Sequence, residues 1–270
     1  MELVYLSTPD GYTCEGLFWA ATAPRTKVGA VLVHGWTFWH DARVRTRGFC
    51  GKHMAGVGER LAQIGIPAVL TMNRGFHAAE FFNDCVIDFQ TNIDFLVSKG
   101  CEEIVIIGHS LGGAKCAYFA GEVGHPRLRG VVLMSAIPSS YNFSGKDELL
   151  DDARRQIATG HEHTIIPFED GRTIALDEAQ NLIHSFENAY RGTTLDAARK
   201  IKLPLFSFAA EREWAWFQEV TKGLRSDGQE TLVETEIIQG ARNHTYSGCE
   251  ELVAERVAGW LQRRLLLQPT

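Results

Sequence analysis

The sequence predicts an α/β fold: a mostly parallel sheet with helices on both faces and a helical cap inserted over one edge. Three features carry that expectation. Short apolar runs recur along the chain, each the length of a strand buried on both faces. Stretches with helical spacing alternate with them. One long segment, Pro138 to Lys200, lacks any buried-strand run.

In chain order, Leu3 to Leu6 is apolar and stops at Pro9-Asp10-Gly11, a turn signal, after which Tyr12 to Trp19 is again extended. The chain therefore opens as a β-hairpin. Val28 to Val33 is a continuous apolar run, followed by Ile66 to Leu70, Ile104 to Ile107, Val131 to Met134, Leu205 to Phe208 and Leu232 to Ile238. Phe82, Val86, Phe89, Ile93 and Leu96 recur every three or four residues, which places one apolar face toward the sheet. Cys249, Leu252, Val253, Val257, Trp260 and Leu261 do the same near the C-terminus.

The break in this rhythm contains helical text from Asp147 to Ile157, a turn at Asp170-Gly171 and helical text from Leu176 to Tyr190. A plain loop of that length is implausible inside a compact domain. The expected organisation is a core over residues 1–137, a cap over 138–200 and a core again over 201–270.

The chain has 270 residues, 45% hydrophobic and 22% charged, which is ordinary globular composition. A single α/β core of this size buries roughly 75% of its extended surface and stands without staples. The net charge of −6 argues against a nucleic-acid partner, which needs a cationic stripe. No apolar run approaches the ~18 residues of a membrane span. The early Glu2, with no apolar stretch after it, argues against a signal peptide, so a cytoplasmic, non-membrane protein is expected. Cys14, Cys50, Cys85, Cys101, Cys116 and Cys249 show no paired or ligand spacing and read as free thiols. His161-Glu162-His163 finds no third ligand, so no metal is expected. Arg43, Arg45, Arg47 and Lys52 read as a solvated basic face.

The sharpest chemical signal is Gly108-His109-Ser110-Leu111-Gly112-Gly113, a G-x-S-x-G pattern between a buried strand and helical text. That context suits a serine on a strained strand-to-helix turn, its hydroxyl projecting beyond the sheet and a helix N-terminus behind it. A chance glycine-rich turn is the plain alternative. A serine needs a base, and of ten histidines His244 has the right place, after the last strand and before the C-terminal helix. For the acid, Glu213 in the loop after Leu205 to Phe208 is favoured over Glu211, with Asp227 third. A carboxylate there orients the imidazole and stabilises its protonated form. The main-chain N–H of Leu111 is one oxyanion donor, and that of Trp36, after His34-Gly35, is the other. Phe38, Trp39, His109 and Trp214 are the expected substrate-contacting residues.

These residues resemble the α/β-hydrolase superfamily. The resemblance runs from about Val28 to Leu266 and rests on His34-Gly35-Trp36, Asn73-Arg74-Gly75, the Ser110 motif, Pro204 to Glu213 and Asn243-His244. It implies an eight-stranded, mostly parallel sheet, a Ser-acid-His triad and no cofactor. The acid loop, Ala209-Ala210-Glu211-Arg212-Glu213, and Asn73 both depart from the family's commoner residues. Serine at the elbow separates the chain from relatives that use aspartate there, the haloalkane dehalogenases and epoxide hydrolases. The function expected is cleavage of a small-molecule ester or lactone. Amide or thioester cleavage, a lyase or a cofactor-independent oxygenase on the same fold, and a non-enzymatic receptor are the alternatives. A homodimer is compatible with the chain.

Overall fold

The computed structural model describes residues 1–35, 51–71, 84–139, 146–169, 174–187, 190–226 and 232–266. Its centre is an eight-stranded sheet of β1 (Glu2–Ser7), β2 (Thr13–Trp19), β3 (Val28–Val33), β4 (Ala68–Thr71), β5 (Glu103–His109), β6 (Leu128–Met134), β9 (Leu205–Ala210) and β10 (Val233–Ile238). The order across the sheet is β1-β2-β4-β3-β5-β6-β9-β10. β1 and β2 pair antiparallel, as does β2 with β4; every later pair is parallel. Each apolar run expected to be a strand is one.

Period-two alternation explains why the middle strands are apolar throughout. On β5, Val105 and Ile107 enter one core cluster, whereas Ile104 and Ile106 enter the other. The first cluster is closed by α1 (Gly51–Gln63) and α8 (Glu250–Leu261) through Met54, Leu61, Val257 and Trp260. The second is closed by α2 (Cys85–Ser98), α3 (Leu111–Tyr118), α6 (Thr194–Arg199) and α7 (Glu219–Ser226). A sheet covered on both faces leaves its two ends as the places where loops meet.

The segment between β6 and β9 departs from the sequence expectation in part. Lys146–Ala158 is helix (α4) as expected. Leu176 to Glu178, expected to begin a helix, instead belong to β8 (Ile174–Glu178), which pairs antiparallel with β7 (Ile165–Glu169). The turn expected at Asp170-Gly171 lies outside the described residues. A turn signal between two short runs rich in branched residues is hairpin text, and it prevailed over the helical spacing that follows. Helix α5 is confined to Ala179–Glu187. Leu149, Ala153, Ile166, Ala179 and Leu182 form a small core of their own, separate from the two main clusters. By α6, where Ala197 and Ala198 enter the second cluster, the chain is back in the main core.

Five cysteines are described, all free; four are buried and Cys249 is half-buried, while Cys50 lies outside the described residues. No helix among the described residues is long and apolar enough to cross a membrane.

One helix face differs from expectation. On α8, Val253, Val257, Trp260 and Leu261 are buried, but Leu252 is 36% exposed, because it lies outside the arc they define, on the side turned away from the core. Trp260→Ala is therefore expected to cost about 3–5 kcal/mol by urea denaturation, and Leu252→Ala under about 1 kcal/mol. Equal costs would contradict the packing.

Candidate active site

Ser110 joins β5 to α3 in a conformation rare for an L-residue, φ 57° and ψ −121°. The turn is pinned from both sides. Ser110 N–H donates to Met134 O at 2.9 Å, and Ser110 O accepts from Gly113 N–H at 3.0 Å and Ile137 N–H at 3.2 Å. Two glycines permit close approach. A Cβ on Gly112 would lie 2.2 Å from Val33 O, so only glycine lets α3 start against the end of β3. A Cβ on Gly35 would lie 2.7 Å from Ser110 Cβ and 3.2 Å from its Oγ, which puts the loop after β3 directly against the serine. Leu111 is the first residue of α3, where the helix's own ladder offers its N–H no acceptor.

His244 follows β10 and Glu213 follows β9, and parallel pairing of these strands brings both loops to one sheet edge. His244 Nδ1 lies 2.8 Å from Glu213 Oε2, and the glutamate side chain is 0% exposed. Its other oxygen, Oε1, accepts from Ala210 N–H and from Ser135 Oγ–H, each at 2.9 Å. Glu211, the rival on sequence, faces elsewhere: it accepts Gly240 N–H at 2.9 Å and lies 4.0 Å from Arg212. Asp227 lies outside the described residues. Nε2 of His244 is closed from solvent and makes no hydrogen bond, including none with Ser110 Oγ.

Aromatic rings enclose the histidine. Phe217 stacks on it at 3.6 Å between ring centres and 26° between planes. His109 lies 4.5 Å away on centres, and His53 of α1 meets His109 edge-on at 4.3 Å between centres and 66° between planes. His109, expected to touch substrate, is only 6% exposed, and its Nε2 donates to the carbonyl of His244 at 2.9 Å. Its place is beneath the histidine loop. Trp214 is 39% exposed and stacks on Phe217 at 5.8 Å. Trp36, Phe38 and Trp39 lie outside the described residues.

Burial sets the protonation states. It pushes His244 down to about 4, and it holds His53 and His109 well below the ordinary imidazole value, with repulsion between the rings adding to it. Burial raises Glu213 to about 7, against the lowering pull of Ser135 Oγ–H and Ala210 N–H. Above about pH 7 the pair is thus carboxylate and neutral imidazole. With Nδ1–H donating to Glu213, the lone pair rests on Nε2, the tautomer a general base requires. Among the described residues no group of three or more His, Cys, Asp or Glu side chains is arranged to hold a metal ion.

Sequence reasoning passed over Ser135, Tyr246 and His53. Ser135 alone carried a positional signal, as the residue just past β6 at the sheet edge where the site lies.

A family model described as the alpha/beta hydrolase family matches residues 30–257. Among solved structures, the α/β hydrolase GrgF from Penicillium sp. sh18 superposes with a TM-score of 0.75 at 14% identity, over 98% of this chain and 99% of that one. Est1E from Butyrivibrio proteoclasticus gives 0.66 at 16% identity, over 98% and 100%. An esterase of Pyrococcus furiosus gives 0.60 at 17%, over 98% and 91%. No curated protein matches the chain in sequence. At such identities the structural likeness is one of fold, and the family match extends over most of the chain. The chain belongs to the alpha/beta hydrolase family.

Proposed function

We propose that this chain is a serine hydrolase that cleaves a carboxylic ester or lactone of a small molecule. The observation that carries the reading is the 2.8 Å contact between the buried Glu213 carboxylate and His244 Nδ1, at the edge where Ser110 holds its strained turn. Buried carboxylates are expensive to maintain, and one aimed at a histidine at the same sheet edge as a serine on a strained turn suits nucleophilic catalysis.

In this scheme Ser110 Oγ attacks the substrate carbonyl carbon while His244 Nε2 takes the hydroxyl proton. The carbonyl electron pair moves to oxygen, which accepts from Leu111 N–H and, by the sequence assignment, Trp36 N–H. Collapse expels the alcohol, protonated by His244, and leaves Ser110 acylated. Water then repeats the cycle and releases the acid. Glu213 stays ionised throughout and steadies the imidazolium. The Ser110–His244 hydrogen bond, not made in the structure, forms as substrate binds, a common tightening at catalytic contacts.

Support for an ester over an amide is the fold likeness to proteins named as esterases. The segment carrying α4, α5 and the β7–β8 hairpin is the element assigned to substrate choice, and the sequence assigns Phe38, Trp39 and Trp214 to substrate contact. His109, placed beneath the histidine loop, is reassigned from substrate contact to holding that loop.

Ser110→Ala is expected to lower kcat/KM on activated esters by about 10⁴-fold or more and to abolish labelling by a fluorophosphonate, with the fold intact by circular dichroism. Retention of more than a few percent activity excludes the acyl-enzyme. Glu213→Gln is expected to cost about 10⁴-fold, because the amide no longer fixes the imidazole tautomer; Glu211→Gln should stay within a few-fold. Wild-type kcat/KM should rise with pH through about 7, as Glu213 loses its proton while His244 is already neutral. In Glu213→Gln only His244 titrates, so the residual activity should have its acid limb displaced downward, toward about 4. An unmoved limb would remove Glu213 from the titrating pair.

A further inference from the structure

Three non-glycine residues among those described have positive φ: Ser110 (57°), Ser135 (44°) and Tyr246 (57°). The first is the proposed nucleophile. The other two lie on separate loops, yet their side chains meet. Tyr246 OH and Ser135 Oγ are 2.6 Å apart, and Ser135 Oγ–H donates to Glu213 Oε1 at 2.9 Å. Both residues are 0% exposed. Such backbone conformations each cost about 1–3 kcal/mol and persist where the surroundings enforce them. Here the main chain does so: Ser135 N–H donates to Phe208 O at 2.7 Å, and Tyr246 N–H to Asn243 O at 2.9 Å.

The proton order is fixed by chemistry. Ser135 has one hydroxyl proton, and it faces a carboxylate oxygen, so Ser135 must accept from Tyr246. Burial and the negative charge of Glu213 hold the tyrosine hydroxyl well above its usual range, so it remains a donor. Its other acceptor, Phe208 O, is 3.5 Å away. The chain Tyr246 to Ser135 to Glu213 thus polarises toward the carboxylate, and each bond strengthens the next. Tyr246 also stands two residues after His244. Hydrogen bonds and backbone therefore close a ring: His244, Glu213, Ser135, Tyr246, and back along the chain to His244.

We infer that Ser135 and Tyr246 are positioning residues, a hydroxyl relay that keeps Glu213 ionised and ties the histidine loop to the acid loop. A buried tyrosine needs some acceptor, and a backbone carbonyl would satisfy it. A serine on a strained turn between that tyrosine and the carboxylate does what a carbonyl cannot: it donates onward. Among the described residues, the titratable groups facing this assembly are His244 and, one ring further, His109 and His53. Glu211 and Arg212 of the acid loop turn away, toward Gly240 N–H and each other.

This inference rests on the acyl-enzyme reading of Ser110, so the test reads both. The rate of Ser110 labelling by a fluorophosphonate, and of ester turnover, would be followed from pH 5 to 10 in the full chain and in Ser135→Ala, Ser135→Gly, Tyr246→Phe and Ser135→Ala/Tyr246→Phe. The glycine variant suits the positive φ if alanine folds poorly, and phenylalanine keeps the ring packing against His53 and Phe208. Loss of the Ser135 hydroxyl is expected to move the acid limb from about 7 to higher pH by about one unit or more, the strength of a hydrogen bond to charge. Tyr246→Phe should move it less, and the double variant no further than Ser135→Ala alone, since the tyrosine acts through the serine. Ser207→Ala breaks an equally buried hydroxyl pair on β9, Ser207 with Thr221 at 2.8 Å, and should leave the limb in place. Rates lowered equally at every pH, with the limb unmoved, overturn the relay alone. An additive double variant, or a limb moved as far by Ser207→Ala, also overturns it. A wild type that does not label at Ser110 defeats the acyl-enzyme reading and the relay together.

Discussion

A carboxylate with no solvent exposure, 2.8 Å from an imidazole nitrogen, is the constraint around which the candidate site is arranged. Left alone, such a group would take up a proton rather than remain charged. Glu213 is surrounded by donors: a main-chain N–H from the end of β9, a serine hydroxyl from the end of β6 and the histidine itself. The desolvation that pushes Glu213 up also pushes His244 down. The lowered His244 value keeps the base neutral, and the donors that hold Glu213 as a carboxylate keep the lone pair on the nitrogen facing away from the acid.

The fold makes this convergence possible. Parallel strands end on the same side, so the loops after β3, β5, β6, β9 and β10 meet without long detours. Gly35, Ser110, Ser135, Glu213 and His244 each stand within a few residues of such a strand end. The helices on the two faces bury the strands and leave that edge open to chemistry. The histidine loop is held from below by His109, from the side by Phe217 and from behind by Tyr246, so the imidazole has little freedom to turn.

Much of this was legible in the chain. Strands buried on both faces show as unbroken apolar runs, and the eight-stranded sheet is what the family resemblance implies, whereas the order across it comes from the structure. Ser110 and His244 were readable because a motif and a position in the element order mark them. Glu213 and Glu211 stood two residues apart on one loop, and only the direction each side chain takes separates them. The strand at Ile174–Glu178 was hidden because its hairpin text runs directly into the helical spacing that follows and reads as part of it. His109 looked like a pocket residue since it precedes the candidate nucleophile, whereas the turn at Ser110 points it inward. Ser135 was marked only by its place just past β6, and Tyr246 by nothing: an isolated hydroxyl has no pattern, and a positive φ at a non-glycine residue is set by tertiary contacts.

The most direct test is the tautomer and charge of His244, read by nitrogen-15 NMR of histidine-labelled protein across neutral pH. The expected result is a neutral ring protonated on Nδ1, with a downfield proton that disappears in Glu213→Gln. A ring protonated on Nε2, or an imidazolium at pH 8, would contradict a base held ready by a buried carboxylate.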